Sequence, residues 1–137
     1  GLPAIMTERG AHHWRLLALE LVDTWPYGDI LALGDGSAAQ TSLADVAHDL
    51  IVDRVYIHGV SGQQQKRGIA LNSASTTIVN SYISDIRLAN GDSQAIAGWN
   101  GPGPYTIVNN FLEATGENLL LGGSDPAISQ LVPSDIV

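Results

Sequence analysis

Four stretches of the chain share one pattern of apolar and polar positions: Trp14 to Leu21, Leu50 to Ile57, Thr76 to Ile83 and Tyr105 to Leu112. Each is rich in Val, Ile, Leu, Thr and aromatic residues, alternates with a period of two, and breaks that alternation near its middle. Their last residues, Leu21, Ile57, Ile83 and Leu112, are spaced by 36, 26 and 29 residues. The alternation predicts short strands, and the break predicts a bend that joins two of them. Ala18, Arg54, Asn80 and Asn109 hold the same place at that break. Asn tolerates the left-handed backbone conformation that a corner requires, so the amides of Asn80 and Asn109 are expected to meet there, one coil apart.

A second set of strands lies between the first: Asp29 to Gly34, Arg67 to Asn72, Gln94 to Trp99 and Glu117 to Gly122. Three strands in every ~25–30 residues, with no amphipathic helix between them, predict a parallel β-solenoid. Helix is expected only as a turn near Thr41 to Val46, where Ser42 is placed to cap it. A sandwich would show hairpin signals between paired alternating runs. The single Asn-Gly pair, Asn90-Gly91, falls instead in the loop Leu88 to Ser93.

The patterns over residues 69–84 and 105–113 resemble the repeats of right-handed parallel β-helix proteins, the pectate-lyase-like superfamily. The fold expected is therefore all-β: a right-handed parallel β-helix of about four coils, three short strands per coil, forming one domain over residues 1–137. The resemblance covers residues 12–137 and speaks for fold more than for activity, because many functions share this solenoid. It implies a larger bacterial parent protein, secreted or periplasmic, of which this chain is a fragment truncated at both ends. Ser134 to Val137 reads as the opening of another middle strand, and the chain begins with Gly1 and shows no signal peptide. Open coil ends expose strand edges, so self-association through them is expected.

Composition narrows the partners. Only 15% of the residues are charged, well below the usual quarter, and 45% are apolar, which suits buried strands and tight turns. The net charge is −8, with six Lys and Arg residues scattered along the chain, so a nucleic-acid partner is not expected. The longest apolar runs, Leu16 to Leu19 and Leu119 to Leu121, are far too short to cross a bilayer, and no membrane partner is expected. With no cysteine, thiol chemistry and Cys-ligated zinc are excluded.

Three constellations carry candidate chemistry. Taking Leu31, Ile69, Ile96 and Leu119 as equivalent inward positions puts Asp29, Arg67, Gln94 and Glu117 in one column, with Lys66 and Asp92 beside it. The resemblance implies that this face is a cleft in which Arg67 or Lys66 draws a proton from a sugar and Asp92 or Glu117 supplies the acid or holds Ca²⁺. The alternative is a plain ionic ladder from Asp29 to Arg67. On the same face Ala32, Gly34, Ala70, Ala97 and Gly122 form a smooth floor beneath Trp99, Asn72 and Asn100. An indole and amides over such a floor suit a sugar ring, unless Trp99 merely roofs the core.

Third, His12 aligns with His48 and His13 with Asp49, gathering three imidazoles and a carboxylate on one turn. Such a group suits a divalent metal or acid–base work; the plain reading is a packed turn ladder. Tyr56, Tyr82 and Phe111 form a further column, read as packing. Gly34-Asp35-Gly36 lacks the Lys and following helix of a phosphate loop. The leading expectation is a carbohydrate-directed module that binds a polysaccharide and, in the full-length protein, cleaves it as a lyase or glycoside hydrolase. Its rivals are a structural or adhesive solenoid that associates end to end, and a metal-dependent hydrolase built on the histidine turn.

Overall fold

The structure is a computed structural model and describes residues 1–22 and 25–137. Strand β1 (Ile5–Met6) leads into a first full coil of β2 (Arg15–Leu17), β3 (Glu20–Val22) and β4 (Asp29–Leu33). The second coil holds β5 (His48–Asp53), β6 (Tyr56–His58) and β7 (Arg67–Leu71). The third holds β8 (Ala74–Val79), β9 (Tyr82–Ile86) and β10 (Gln94–Gly98), and the fourth β11 (Gly103–Val108), β12 (Phe111–Ala114) and β13 (Glu117–Leu121). Corresponding strands pair in parallel into three sheets: A (β1-β4-β7-β10-β13), B (β2-β5-β8-β11) and C (β3-β6-β9-β12). The molecule is an all-β parallel β-helix of four coils with three strands in each.

The pairing register is the one the repeat predicts. Leu21 faces Ile57, Ile57 faces Ile83 and Ile83 faces Leu112 on sheet C. On sheet A, Leu31, Ile69, Ile96 and Leu119 form one inward column. A slip of one residue would turn every core side chain outward, so burial of one face enforces this alignment. Leu31, Ile57, Ile69, Ile83 and Ile96 are fully buried in the resulting core.

Every passage from sheet B to sheet C is a two-residue bend that starts with a left-handed residue: Ala18 (φ 53°), Arg54 (55°), Asn80 (54°) and Asn109 (57°). The Asn109 Nδ2 donates to Asn80 Oδ1 at 2.7 Å, and Asn80 Nδ2 donates to Asp53 Oδ1 at 3.2 Å. The ladder of side-chain amides thus ends on a carboxylate. Asp53 is nearly buried, and Arg15 Nη2 reaches its Oδ2 at 2.6 Å while Arg54 donates to both oxygens.

The Arg15 hydrogen bond above all, then those of Arg54 and Asn80, holds the Asp53 carboxyl down at about 2, against an ordinary value of 3.8. A carboxyl depressed on folding adds stability above its unfolded value and loses it as pH falls through the folded one. Thermal unfolding of Asp53→Asn should therefore lie below wild type at neutral pH. The gap should begin to close below pH 3.8 and be gone near pH 2. A gap that persists unchanged to pH 2 would show that the charge of Asp53 is not what holds this corner.

A 3-10 turn at Leu43–Asp45 is capped by Ser42, whose Oγ accepts from Ala44 N at 3.2 Å, as predicted. A second turn, Ser129–Leu131, was not anticipated; it forms because buried Leu131 folds inward from the long segment after β13. Beyond it, Ile136 bridges to Tyr105 in parallel, so the chain does start another sheet B strand. No helix among the described residues is long and apolar enough to cross a membrane.

Candidate functional site

Sheet A carries the face on which the chain gathers most of its candidate residues. The observed register aligns Asp29 with Arg67, Arg67 with Gln94 and Gln94 with Glu117, the column that the sequence predicts. Within it the ionic interactions are local. Arg67 Nη1 donates to Asp29 Oδ1 at 2.6 Å, and Gln94 Nε2 donates to Glu117 Oε2 at 3.0 Å. The Arg67 side chain is only 13% exposed, and its guanidinium carbon sits 4.8 Å from the centroid of the Trp99 ring. A guanidinium held between a carboxylate and an indole has no route to accept a proton. Arg67 is placed as a support beneath Trp99 rather than as a base.

Trp99 follows β10 and lies across the face. Its backbone N–H donates to Asn72 Oδ1 at 3.0 Å, and its Nε1 donates to the Gly36 carbonyl at 2.8 Å. Gly36 permits that latch, since a Cβ there would lie 2.4 Å from Trp99 Cζ2. The indole stays partly exposed and separates two depressions. One, of about 480 Å³, is floored by Ala32 and Ala70 and bordered by Asn72, Asp29, Asp35 and Arg9. The other, of about 470 Å³, is lined by Lys66, Asp92, Gln94, Leu120 and Gly122. The small residues of the predicted floor thus lie on both sides of Trp99. Lys66, with its amine, is the base that the second depression offers, and Asp92 shares that depression; Glu117 lies on the exposed edge strand.

The amides behave differently from the sequence expectation. Asn100 is buried, and its Nδ2 donates to the Asp35 and Ser37 carbonyls at 2.8 and 3.0 Å while its Oδ1 accepts from Ala127 N at 2.8 Å. It ties two loops to the site and turns no group toward a ligand. Asn72 Oδ1 accepts from the backbone N–H of both Trp99 and Asn100, at 3.0 and 2.9 Å. Its Nδ2 has no partner.

Gln40 was not singled out in the sequence; buried in the same network, it donates to the Asn72 and Asn100 carbonyls and accepts from Asp35 N. Asp35 was seen only as part of a failed phosphate motif. It caps its own loop, accepting from Ser37 N at 2.8 Å, a local Asx pattern that Gly34-Asp35-Gly36-Ser37 could have revealed.

The histidine turn also assembles. His12 stacks on His48 with ring centroids 5.1 Å apart, and His12 Nδ1 lies 2.7 Å from His13 Nδ1. His48 Nδ1 pairs with Asp49 Oδ2 at 2.7 Å, and this bond leads the causes that hold the Asp49 carboxyl below its usual range. The side chains are spent on one another. Among the described residues, no group of three or more His, Asp or Glu side chains is arranged to hold a metal ion. Neither this turn nor the acidic residues of sheet A fit the Ca²⁺ or other divalent metal expected for them. Tyr56, Tyr82 and Phe111 do stack, Tyr82 on Phe111 at 4.3 Å, but on the exposed surface of sheet C.

No family model, no curated protein and no solved structure matches this chain.

Proposed function

We propose that the outward face of sheet A binds a polysaccharide, with Trp99 as its central platform. One observation carries this reading: a partly exposed indole, clamped at both its backbone and its ring nitrogen, separates two depressions on a rigid parallel sheet. Pyranose rings present apolar C–H faces and polar edges, and an aromatic ring held rigid loses little entropy in stacking on one. The repeat favours an extended ligand, because successive coils present successive positions ~4.8 Å apart. The resemblance to pectate-lyase-like proteins, whose cleft lies on the matching sheet, supports the same face. Lys66 beside Asp92 is the pair to which a cleavage step in a longer protein would fall.

Trp99→Ala is expected to abolish binding on a glycan array while leaving the β-rich circular dichroism spectrum intact. Equal binding by wild type and variant would remove Trp99 from the site.

A second reading, a structural solenoid that stacks end to end, rests on an apolar hollow of about 420 Å³ at the first coil, lined by Ile5, Leu16, Leu33, Leu50 and Val52. Sedimentation separates the two, since stacking would show concentration-dependent association without any glycan.

A further inference from the structure

Two buried amide atoms on the sheet A face have no hydrogen-bond partner, Asn72 Nδ2 and Gln94 Oε1. Asn72 is 1% exposed and Gln94 3%. Their orientations follow from their other contacts. Asn72 must point its oxygen at the two backbone N–H groups of Trp99 and Asn100, which leaves its NH₂ free. Gln94 must point its NH₂ at the Glu117 carboxylate, which only accepts, and this leaves its oxygen free. Unpaired buried polar groups are uncommon in native proteins, and each calls for a partner.

The free atoms belong to opposite sides of one indole. Asn72 lines the first depression together with Trp99, and Gln94 lines the second together with Trp99. One offers a donor and the other an acceptor. A third unpartnered atom, the donor Arg67 Nε, lies one rung from Gln94 in the same column. A hydroxyl both donates and accepts, so it can satisfy an Nε–H and an amide oxygen together. A carboxylate only accepts and would meet Gln94 Oε1 oxygen to oxygen.

Charge points the same way. Glu8, Asp29, Asp35 and Asp45 border the first depression against Arg9 alone, and Lys66 in the second is offset by Asp92. The whole chain carries −8, which repels a polyanion unless cations bridge it. Among the described residues, no acidic group is arranged to hold such a cation.

Building on the carbohydrate reading, we infer that the ligand is a neutral glycan, read by its hydroxyl groups on either side of Trp99 and without calcium, rather than a polyuronate. A sugar stacked on the indole would accept from Asn72 Nδ2 on one side. On the other side it would donate to Gln94 Oε1.

Calorimetric titration of the whole chain with neutral hexasaccharides (gluco-, manno- and xylo-configured) and with hexagalacturonate, each with calcium and with chelator, tests this. A neutral hexasaccharide should bind equally well with calcium or chelator, and hexagalacturonate should not bind. Asn72→Asp keeps the oxygen that holds Trp99 and Asn100 but replaces the donor, and should lower affinity at least tenfold. Gln94→Met removes the acceptor from the other side and should do the same. Should Asn72→Asp fail to fold, Gln94→Met carries the test alone.

Calcium-dependent binding of hexagalacturonate would overturn the neutral-glycan inference while leaving the carbohydrate reading standing. Unchanged affinity in a folded Gln94→Met would overturn the role given to that atom. Binding of no sugar by wild type would overturn both readings together.

Discussion

Ile96→Ala is expected to destabilise the fold by about 2–5 kcal/mol, the largest effect of any single truncation on sheet A. Ile96 sits at the middle of β10, paired in register with Ile69 on one side and Leu119 on the other, and is fully buried. All five residues of β10 are buried, so neighbouring backbone cannot collapse into the space left by three lost carbons. A domain of this size is held by about 5–15 kcal/mol, so the variant would lose much of its margin. Urea unfolding should show a midpoint well below wild type with the slope unchanged. Leu119→Ala is the internal comparison: it occupies the same column one coil on, is 40% exposed, and should cost distinctly less. Equal losses at the two positions would mean that the column is not the continuous core described here.

Asn100→Ala is expected to cost about 2–4 kcal/mol and to weaken glycan binding although Asn100 touches no ligand. Its side chain satisfies three backbone groups, the carbonyls of Asp35 and Ser37 and the N–H of Ala127. Removing the amide leaves these groups to find water, and an unmet buried group costs about 1–3 kcal/mol. The loop they anchor contains Gly36, whose carbonyl holds the Trp99 ring nitrogen. Asn100→Asp keeps an acceptor for Ala127 N but loses both donations, so its stability should fall between alanine and wild type. Thermal melting of the three proteins in parallel reads the order directly. Binding should follow the same order, with the loss reported as weaker affinity rather than altered preference among glycans. An alanine variant as stable as wild type would show that the 34–37 loop holds Trp99 by other means.

Much of this architecture is legible in the linear chain, for a physical reason. A parallel β-helix stacks equivalent residues directly on one another, so each coil repeats the apolar period of the last and the pairing register can be counted along the chain. That is why Leu31, Ile69, Ile96 and Leu119 align as expected, and why Ala18, Arg54, Asn80 and Asn109 all turn at one corner in the left-handed conformation. The column Asp29, Arg67, Gln94 and Glu117 is equally local in origin, since it sits two residues before the core column on each strand.

The roles of side chains in that column and above it depend on the packing of the folded chain. Asn72 and Asn100 are both amides near Trp99 in the sequence, yet one keeps a free NH₂ and the other has none. The difference arises because the partners of Asn100 come from Asp35 and Ser37, more than 60 residues away, and from Ala127. Those segments are loops of unequal length that fall outside the repeat, and no period predicts where they fold back. Arg67 likewise reads as a base in the chain and becomes a support once Asp29 and Trp99 close on it. The coil repeat is written in short-range periodicity, while the partners of each polar group are set by loops that the periodicity does not reach.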